Sequence, residues 1–419
     1  MKSLVILGSA LAVSISAAHA QEPPPGLSLP QAIESVIRDN PDVRASDQAY
    51  AATRGRLLTE RPLLADPSFV ADYSGLSSLR PGFSGYGERV IGIEQPIELP
   101  FKWLARNDIA AKEARVAEMD FELAKLDKIA ETRKAYGEVL TSRREQELAK
   151  DNFELAGDFL RMAQVRYEAG DVPPLEVLRA RIEVANAERD TLEAEKNVLV
   201  AEAALNILMG RDAHAPLILT DELTFAPVEY DIDELRARML ERHPLSRAMG
   251  YAVEGGRSAV RLSQWNFLPD LALGVSRQRV PGEGSFWIAS LGFEVPLWSF
   301  FRQRGGLQEA KANLAQTRAN RLGAQNSLIL ELESAYHGLH VAERQVRIYS
   351  EELLAESEEV YRISSRRYEE GEASYLEVLE AGRTLRTTRT EYVQTLFAYQ
   401  SALADLERAT GGALDPPDN

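Results

Sequence analysis

Arg166-Tyr167-Glu168-Ala169-Gly170 recurs as Arg367-Tyr368-Glu369-Glu370-Gly371. The next recognisable stretch, Leu175-Glu176-Val177-Leu178, recurs as Leu376-Glu377-Val378-Leu379, and both pairs lie 201 residues apart. Moving outward, Ile91-Gly92-Ile93-Glu94-Gln95-Pro96-Ile97 aligns with Leu291-Gly292-Phe293-Glu294-Val295-Pro296-Leu297 at an offset of 200. Ala135-Tyr136 aligns with Ala335-Tyr336 at the same offset, and Asn40-Pro41 faces His243-Pro244 at 203. Five features in one order at a nearly constant offset are the signature of an internal duplication.

Each half predicts the same series. A helix near 29–61, and again near 231–264, leads to a Pro-containing segment, Asp66-Pro67 or Leu268-Pro269. Two short strands follow, near 67–78 and 87–99, and near 269–279 and 285–297. Then come two long helices joined by a Gly turn, near 101–169 and 174–209, and near 301–370 and 374–410. No proline interrupts 101–172 or 297–415, and proline costs about 3 kcal/mol inside a helix, so these stretches are free to be helical. A helix over 101–169 would be roughly 100 Å long at about 1.5 Å per residue, several times the width of a compact domain. Val177, Val184, Thr191, Val198 and Leu205 recur every seven residues, as do Val378, Leu385, Tyr392, Tyr399 and Leu406. That period makes helices supercoil around neighbours. The expected division is a leader over 1–20, a first repeat over 21–210, a connector over 211–230, a second repeat over 231–411 and a tail over 412–419.

Lys2, the apolar run Leu4 to Ala18 and Ala18-His19-Ala20 read as a secretory signal peptide with its cleavage site. Removing Lys2 with the leader takes the formal charge from −16 to −17. Position 21 is not cysteine, so acylation there is excluded, and a chain with no cysteine at all has no disulfide or thiolate metal site. With 48 Lys and Arg against 64 Asp and Glu, nucleic-acid binding is not expected. No later apolar run approaches the roughly 18 to 20 residues of a spanning helix.

The short strands alternate. Trp287, Ala289, Leu291, Phe293, Val295 and Leu297 form one face, with Ile288, Ser290, Gly292, Glu294 and Pro296 on the other. Ile91, Ile93 and Ile97, then Leu271, Leu273 and Val275, and more weakly Phe69, Ala71 and Tyr73, repeat the pattern. Such segments suit a membrane β-barrel, with Trp103, Trp287 and Trp298 near their ends as interfacial aromatics. The alternation alone also fits two hairpins on a soluble core. Four strands cannot close a barrel, and lipid does not tolerate open strand edges, so a membrane reading requires oligomerisation. Two chains would give 8 strands and three would give 12; physics does not choose.

Taken together, the repeat, the openings Leu29-Pro30-Gln31-Ala32-Ile33 with Asn40-Pro41, and the paired Tyr-x-x-Gly turns resemble the TolC-like outer-membrane efflux factors over essentially the whole mature chain. The resemblance implies a mainly α fold with a small β part: a homotrimer with a 12-stranded outer-membrane β-barrel continuous with a periplasmic α-helical tube. It implies no enzymatic activity and no cofactor. It implies an exit duct, embedded in outer-membrane lipid, for metal cations or drugs, working with a periplasmic adaptor (membrane fusion) protein and an inner-membrane pump. Glu94-Gln95-Pro96-Ile97-Glu98-Leu99-Pro100 followed by Lys102 looks like heavy-metal exporters of the resistance-nodulation-division type, although Phe101-Lys102-Trp103 departs from the Gly-Lys-Arg common there. The outer-membrane duct of a type I protein-secretion system and a non-pore periplasmic coiled-coil protein are the alternatives.

By the same resemblance, Arg166, Tyr167, Gly170, Arg367, Tyr368 and Gly371 form the periplasmic tip where an adaptor docks. Glu377 and Glu380 would line the channel constriction, since i, i+3 spacing puts both carboxylates on one helix face. The first repeat has Glu176 but Arg179, so the acidic pair is not duplicated. The family's latch places an Arg two residues after the second turn glycine; this chain has Ala373 there. His337 and His340, with Glu333 a turn earlier, have metal-ligand spacing, but their mates are Gly137 and Leu140, and no metal site is expected. No nucleophile, phosphate-loop or dinucleotide motif occurs.

Overall fold

A computed structural model describes residues 26–60, 66–74, 88–280, 282–294 and 300–414. The expected leader, Val295 to Trp298 and the last five residues lie outside the described residues.

The first half contains α1 (Leu29–Asp39), α2 (Pro41–Glu60), β1 (Ser68–Ser74), β2 (Glu88–Ile97), α3 (Pro100–Glu168) and α4 (Pro174–Leu208). The second contains α5 (Ile232–Arg242), α6 (Pro244–Trp265), β3 (Asp270–Val280), β4 (Gly284–Glu294), α7 (Phe300–Ile348), α8 (Leu354–Glu369) and α9 (Tyr375–Thr410). The single opening helix expected in each half is instead two. Asn40 and His243 adopt extended backbone, with ψ of 129° and 128°, because the residue before a proline is pushed out of the helical region. Each then caps the helix that follows. Asn40 Oδ1 accepts from the Asp42 and Val43 amides, and His243 Nδ1 accepts from the Leu245 amide. The last helix of each half returns to this break. Gly210 and Gly411 both have left-handed φ, 71° and 91°, and a Cβ there would collide with the backbone of Asp39 or His243.

The strands form one antiparallel sheet in the order β1-β2-β3-β4, so β2 and β3 join the two halves. Directly paired residues share a face. The rows Phe69-Ile93-Val275-Ala289 and Ala71-Ile91-Arg277-Trp287 fall on one side, along with Leu271, Leu273, Leu291 and Phe293. This face is bare: Phe69 is 71% exposed, Trp287 72% and Phe293 60%. The opposite face carries Gly92, Gly274, Ser276 and Ser290, packed closely enough that a Cβ on either glycine would strike the neighbouring serine.

The long helices pack as the heptads predict, with alanine supplying the second seam position. Val177, Ala180, Val184, Ala187, Thr191, Ala194, Val198, Ala201, Leu205 and Leu208 step by three and four, all buried or half-buried. In α9 the equivalent seam runs Val378, Ala381, Leu385, Thr388, Tyr392, Thr395, Tyr399, Ala402, Leu406 and Ala409. Two cores of matching composition sit at the ends of α1 and α5. One gathers Val36, Tyr136, Val139, Leu205 and Met209; the other gathers Met239, Leu332, Leu339, Tyr399 and Leu406. The 211–230 segment crosses between them, accepting hydrogen bonds from Tyr136 at Asp221 and from Tyr399 at the Ala226 carbonyl.

The expected continuous helix over 301–370 is interrupted by a π-helical turn, Tyr349–Leu353, between α7 and α8. Its physical cause is an extra residue. The offset between halves is 200 at Tyr136/Tyr336 and 201 at Arg166/Arg367, so one residue was gained between them. α3, by contrast, runs 69 residues without a break. Inward positions in the second half follow Leu328, Leu332, Ala335, Leu339, Ala342, Val346 and Tyr349 in steps of four and three. They resume at Leu354, Ser357, Tyr361, Ser364 and Tyr368. The step from Tyr349 to Leu354 is five, and the Leu354 amide donates to the Tyr349 carbonyl. The bulge absorbs the insertion and keeps the seam in register on both sides.

Candidate functional site

At the end farthest from the sheet along the helices, both hairpin turns reverse through glycine. Gly170 and Gly371 have φ of 85° and 80°, a conformation open to glycine and costly for other residues. Asp171 donates to the Arg166 carbonyl (2.9 Å) and Glu372 to the Arg367 carbonyl (2.8 Å), closing equivalent helix ends. Ser374 starts α9 with a capping box: its side chain accepts from the Glu377 amide, and the Glu377 carboxylate accepts from the Ser374 amide.

The structure brings the two turns together. Ala163, Val177, Ala180, Tyr368, Ala373, Tyr375 and Val378 form one buried cluster. Arg166 crosses from the first turn to the second. Its Nη1 donates to the Tyr368 carbonyl at 3.1 Å, and its guanidinium lies 4.7 Å from the Tyr368 ring centre. The repeat mates are not equivalent, for Tyr368 is 2% exposed while Tyr167 is 47% exposed. Burial, then the nearby Glu176 charge, raises the pKa of the Tyr368 hydroxyl. Neither that hydroxyl nor Glu176 Oε2 closes a well-formed hydrogen bond, although both atoms are buried.

Arg367 is exposed, and among the described residues its guanidinium pairs with Glu377, at 3.8 Å. Glu377 and Glu380 are both exposed on the first turns of α9, but they are not alike. Glu377 is committed to the cap and to Arg367, whereas among the described residues Glu380 makes only a backbone contact, its carbonyl accepting from Thr384.

Above the tip, three arginines spaced by three tie α9 to its surroundings. Arg383 pairs with Glu183, Arg386 with Asp190 (3.8 Å), and Arg389 with Glu358 (2.7 Å). They lie in Gly382-Arg383-Thr384-Leu385-Arg386-Thr387-Thr388-Arg389, where the Arg-x-x-Arg-x-x-Arg spacing is their trace in the sequence. A second missed residue is Lys102, at the opposite end. It is 3% exposed, and its Nζ donates to the Leu268 carbonyl (2.9 Å) and to Asp270 (2.8 Å). It thereby fastens the start of α3 to the start of β3.

His337 lies 3.6 Å from Glu333, and His340 lies 3.9 Å from Glu343. Both rings stack edge-on against Tyr336 instead of converging. Among the described residues, no group of three or more His, Cys, Asp or Glu side chains is placed to hold a metal. Nor is any described helix long and apolar enough to cross a membrane.

An open sheet with a bare apolar face, running directly into helical hairpins whose longer arm is roughly 100 Å, defines a membrane-anchored helical conduit. The chain belongs to the outer membrane efflux protein family, whose profile matches it twice, at 33–211 and at 235–412. It is therefore an outer-membrane efflux channel, of a family made of channel proteins. It is 27% identical over 316 residues to the cobalt-zinc-cadmium resistance protein CzcC of Cupriavidus metallidurans, covering 75% of each chain. Protein CyaE of Bordetella pertussis is also 27% identical, over 311 residues, covering 70% of this chain and 65% of CyaE. The fold matches a crystal structure of CusC with a TM-score of 0.78 at 17% identity, covering 92% of both chains. It matches the Campylobacter jejuni CmeC outer membrane channel with the same TM-score at 19% identity, covering 93% and 87%.

Proposed function

We propose that three copies close a 12-stranded barrel and conduct metal cations from a periplasmic adaptor and inner-membrane pump to the exterior. Each chain supplies two repeats, 21–210 and 231–411, joined by the 211–230 connector. The observation that carries the oligomer is the sheet itself. Among the described residues its outer strands β1 and β4 have unpaired edges and its apolar face is exposed, a combination that lipid tolerates only when neighbouring copies pair the edges. A second apolar stripe supports the same assembly: Leu178, Ile182, Leu192, Leu199 and Ile207 stand exposed along α4, outside its own buried seam. The metal cargo rests on the relationship to CzcC.

The tip is the entrance and the adaptor contact, through Arg166, Tyr167, Gly170, Arg367, Tyr368 and Gly371. Arg166 does the work of the arginine missing at Ala373: it holds the buried Tyr368 from the neighbouring hairpin and keeps the two turns closed on each other. Glu377 and Glu380 would form acidic rings at the constriction, and such rings attract and bind cations. Opening swings the second hairpin away and widens the rings.

Reconstitution in planar bilayers tests the channel. Conductance blocked by micromolar trivalent cations is expected, with Glu380→Gln weakening the block while leaving the fold intact, because Glu380 has no structural partner to lose. A water-soluble chain that conducts nothing would overturn the channel. Conductance with unchanged block in Glu380→Gln would overturn only the constriction. Deletion of the gene should lower tolerance to cobalt, zinc or cadmium, and unaltered tolerance would remove the metal cargo.

A further inference from the structure

The two halves differ at one place in the backbone of their long helices. α3 is unbroken for 69 residues, while its counterpart carries the π-turn Tyr349–Leu353. Above the bulge, α7 is anchored through Leu328, Leu332, Leu339 and Val346, each 2% exposed or less. Below it, α8 ends on Tyr368 in the tip cluster. Between Val346 and Leu354 no side chain is buried, and Arg347, Ile348 and Ser350 to Leu353 are all exposed. The hydrogen-bond ladder of the long helix is thus defective within a stretch that buries no side chain. Helices bend at such bulges.

α9 passes the bulge without a break and is tied by one exposed contact at the bulge's first residue and another just below it. Tyr349 donates to Glu391 (2.9 Å), and Arg389 donates to Glu358 (2.7 Å). Both tethers are water-exposed polar contacts, which re-form readily after a displacement of an ångström or two. In the first half α3 likewise buries no side chain from Ala149 to Met162, but its hydrogen-bond ladder there is unbroken.

We infer that the bulge at Tyr349–Leu353 is the joint on which α8 and the second turn move, with α3, α4 and their turn as the fixed part. This rests on the gated-channel reading above, in which the second hairpin swings, and adds where along that hairpin the motion is confined. The inserted residue has a mechanical role beyond being accommodated, because a bulge can bend or shift at the expense of one hydrogen bond, whereas an intact helix must break several.

Deleting Glu351, exposed and outside the seam, returns the offset to 200 and restores a continuous helix. In bilayers, the deletion is expected to lower open probability about tenfold, the factor set by the one backbone hydrogen bond that it restores. The length-preserving Glu351→Ala should behave as the parent. A deletion variant that gates like the parent overturns the joint, while a parent that conducts nothing overturns the channel reading instead. Hydrogen exchange on the full-length protein gives a reading that does not depend on the deletion folding. Releasing the tip with Arg166→Ala should speed exchange over 349–369 and leave 328–346 and α3 up to Leu148 unchanged. An increase spread evenly over 300–369, or shared by α3 above Leu148, would refute a localised joint.

Discussion

Replacing Arg166 with alanine removes two contacts made by one side chain across the tip. The guanidinium sits 4.7 Å from the Tyr368 ring centre and donates to the Tyr368 carbonyl at 3.1 Å. For a half-buried pair the ring contact contributes about 1 kcal/mol. A charged donor on a carbonyl contributes about 1.5 kcal/mol, less what the carbonyl regains from water. The net is about 2 kcal/mol per chain, which shifts a closed-to-open equilibrium about thirtyfold if the contact exists only in the closed state. The assay is single-channel recording in planar bilayers at fixed voltage and salt. Arg166→Ala should raise open probability toward saturation. Arg166→Lys keeps the charge but loses the planar fork, and should fall between the two. Tyr368→Phe keeps the ring face and the accepting carbonyl and should stay near the parent. If Arg166→Ala assembles and inserts normally yet gates as the parent does, the contact does not hold the tip closed. If Tyr368→Phe opens the channel as strongly as Arg166→Ala, the hydroxyl beside Glu176 is the holding group and the cation–ring argument fails.

Burial, together with the Arg408 charge, lowers the His243 pKa to about 4 despite the opposing pull of Asp127. The folded chain therefore holds a neutral imidazole that the unfolded chain would protonate below about 6.5. Its stabilising effect is complete above that pH and is lost as pH falls toward about 4, on the order of 3 kcal/mol in all. His243→Asn keeps a capping acceptor and should flatten the acid side of a melting-temperature profile between pH 4 and 7; a profile identical to the parent's would show that another group titrates. Lys102→Met should cost about 3 kcal/mol, because it strands the Leu268 carbonyl and Asp270 at the junction of α3 and β3, and Asp270→Asn should cost less since that partner is half exposed. Thermal melts in detergent read both, and equal losses would mean that the charge pair, and not the buried ammonium, matters.

The long helices, their seams and the strand faces were legible because each is written as a period. Seven-residue spacing from Val177 to Leu205 and two-residue alternation from Trp287 to Phe293 survive without any knowledge of neighbours. The breaks at Asn40-Pro41 and His243-Pro244 were equally visible, since proline restricts the residue before it, although the periodicity on either side runs on as if through one helix. The π-bulge was harder. Its only trace in the sequence is the drift from 200 to 201, which locates an insertion without saying whether it becomes a loop or a bulge. At the tip, the residues were legible and their inequivalence was not. Tyr167 and Tyr368 occupy matching positions, yet one faces water and the other the core, because burial there depends on which hairpin lies alongside. For the same reason Arg166 on Tyr368, 202 residues away, could not be read from spacing. Lys102 stood in a recognised stretch, but nothing local told a buried anchor from a surface lysine.

The inserted residue at 349–353 also bears on why the gene is doubled. A tube wound from six identical single units would have carried any insertion six times over, weakening every long helix at the same height. With two units per chain, and three chains in the proposed ring, the weak level falls on alternate helices only. On the proposed gating, duplication let one half of the protein become compliant while the other half stayed a rigid frame.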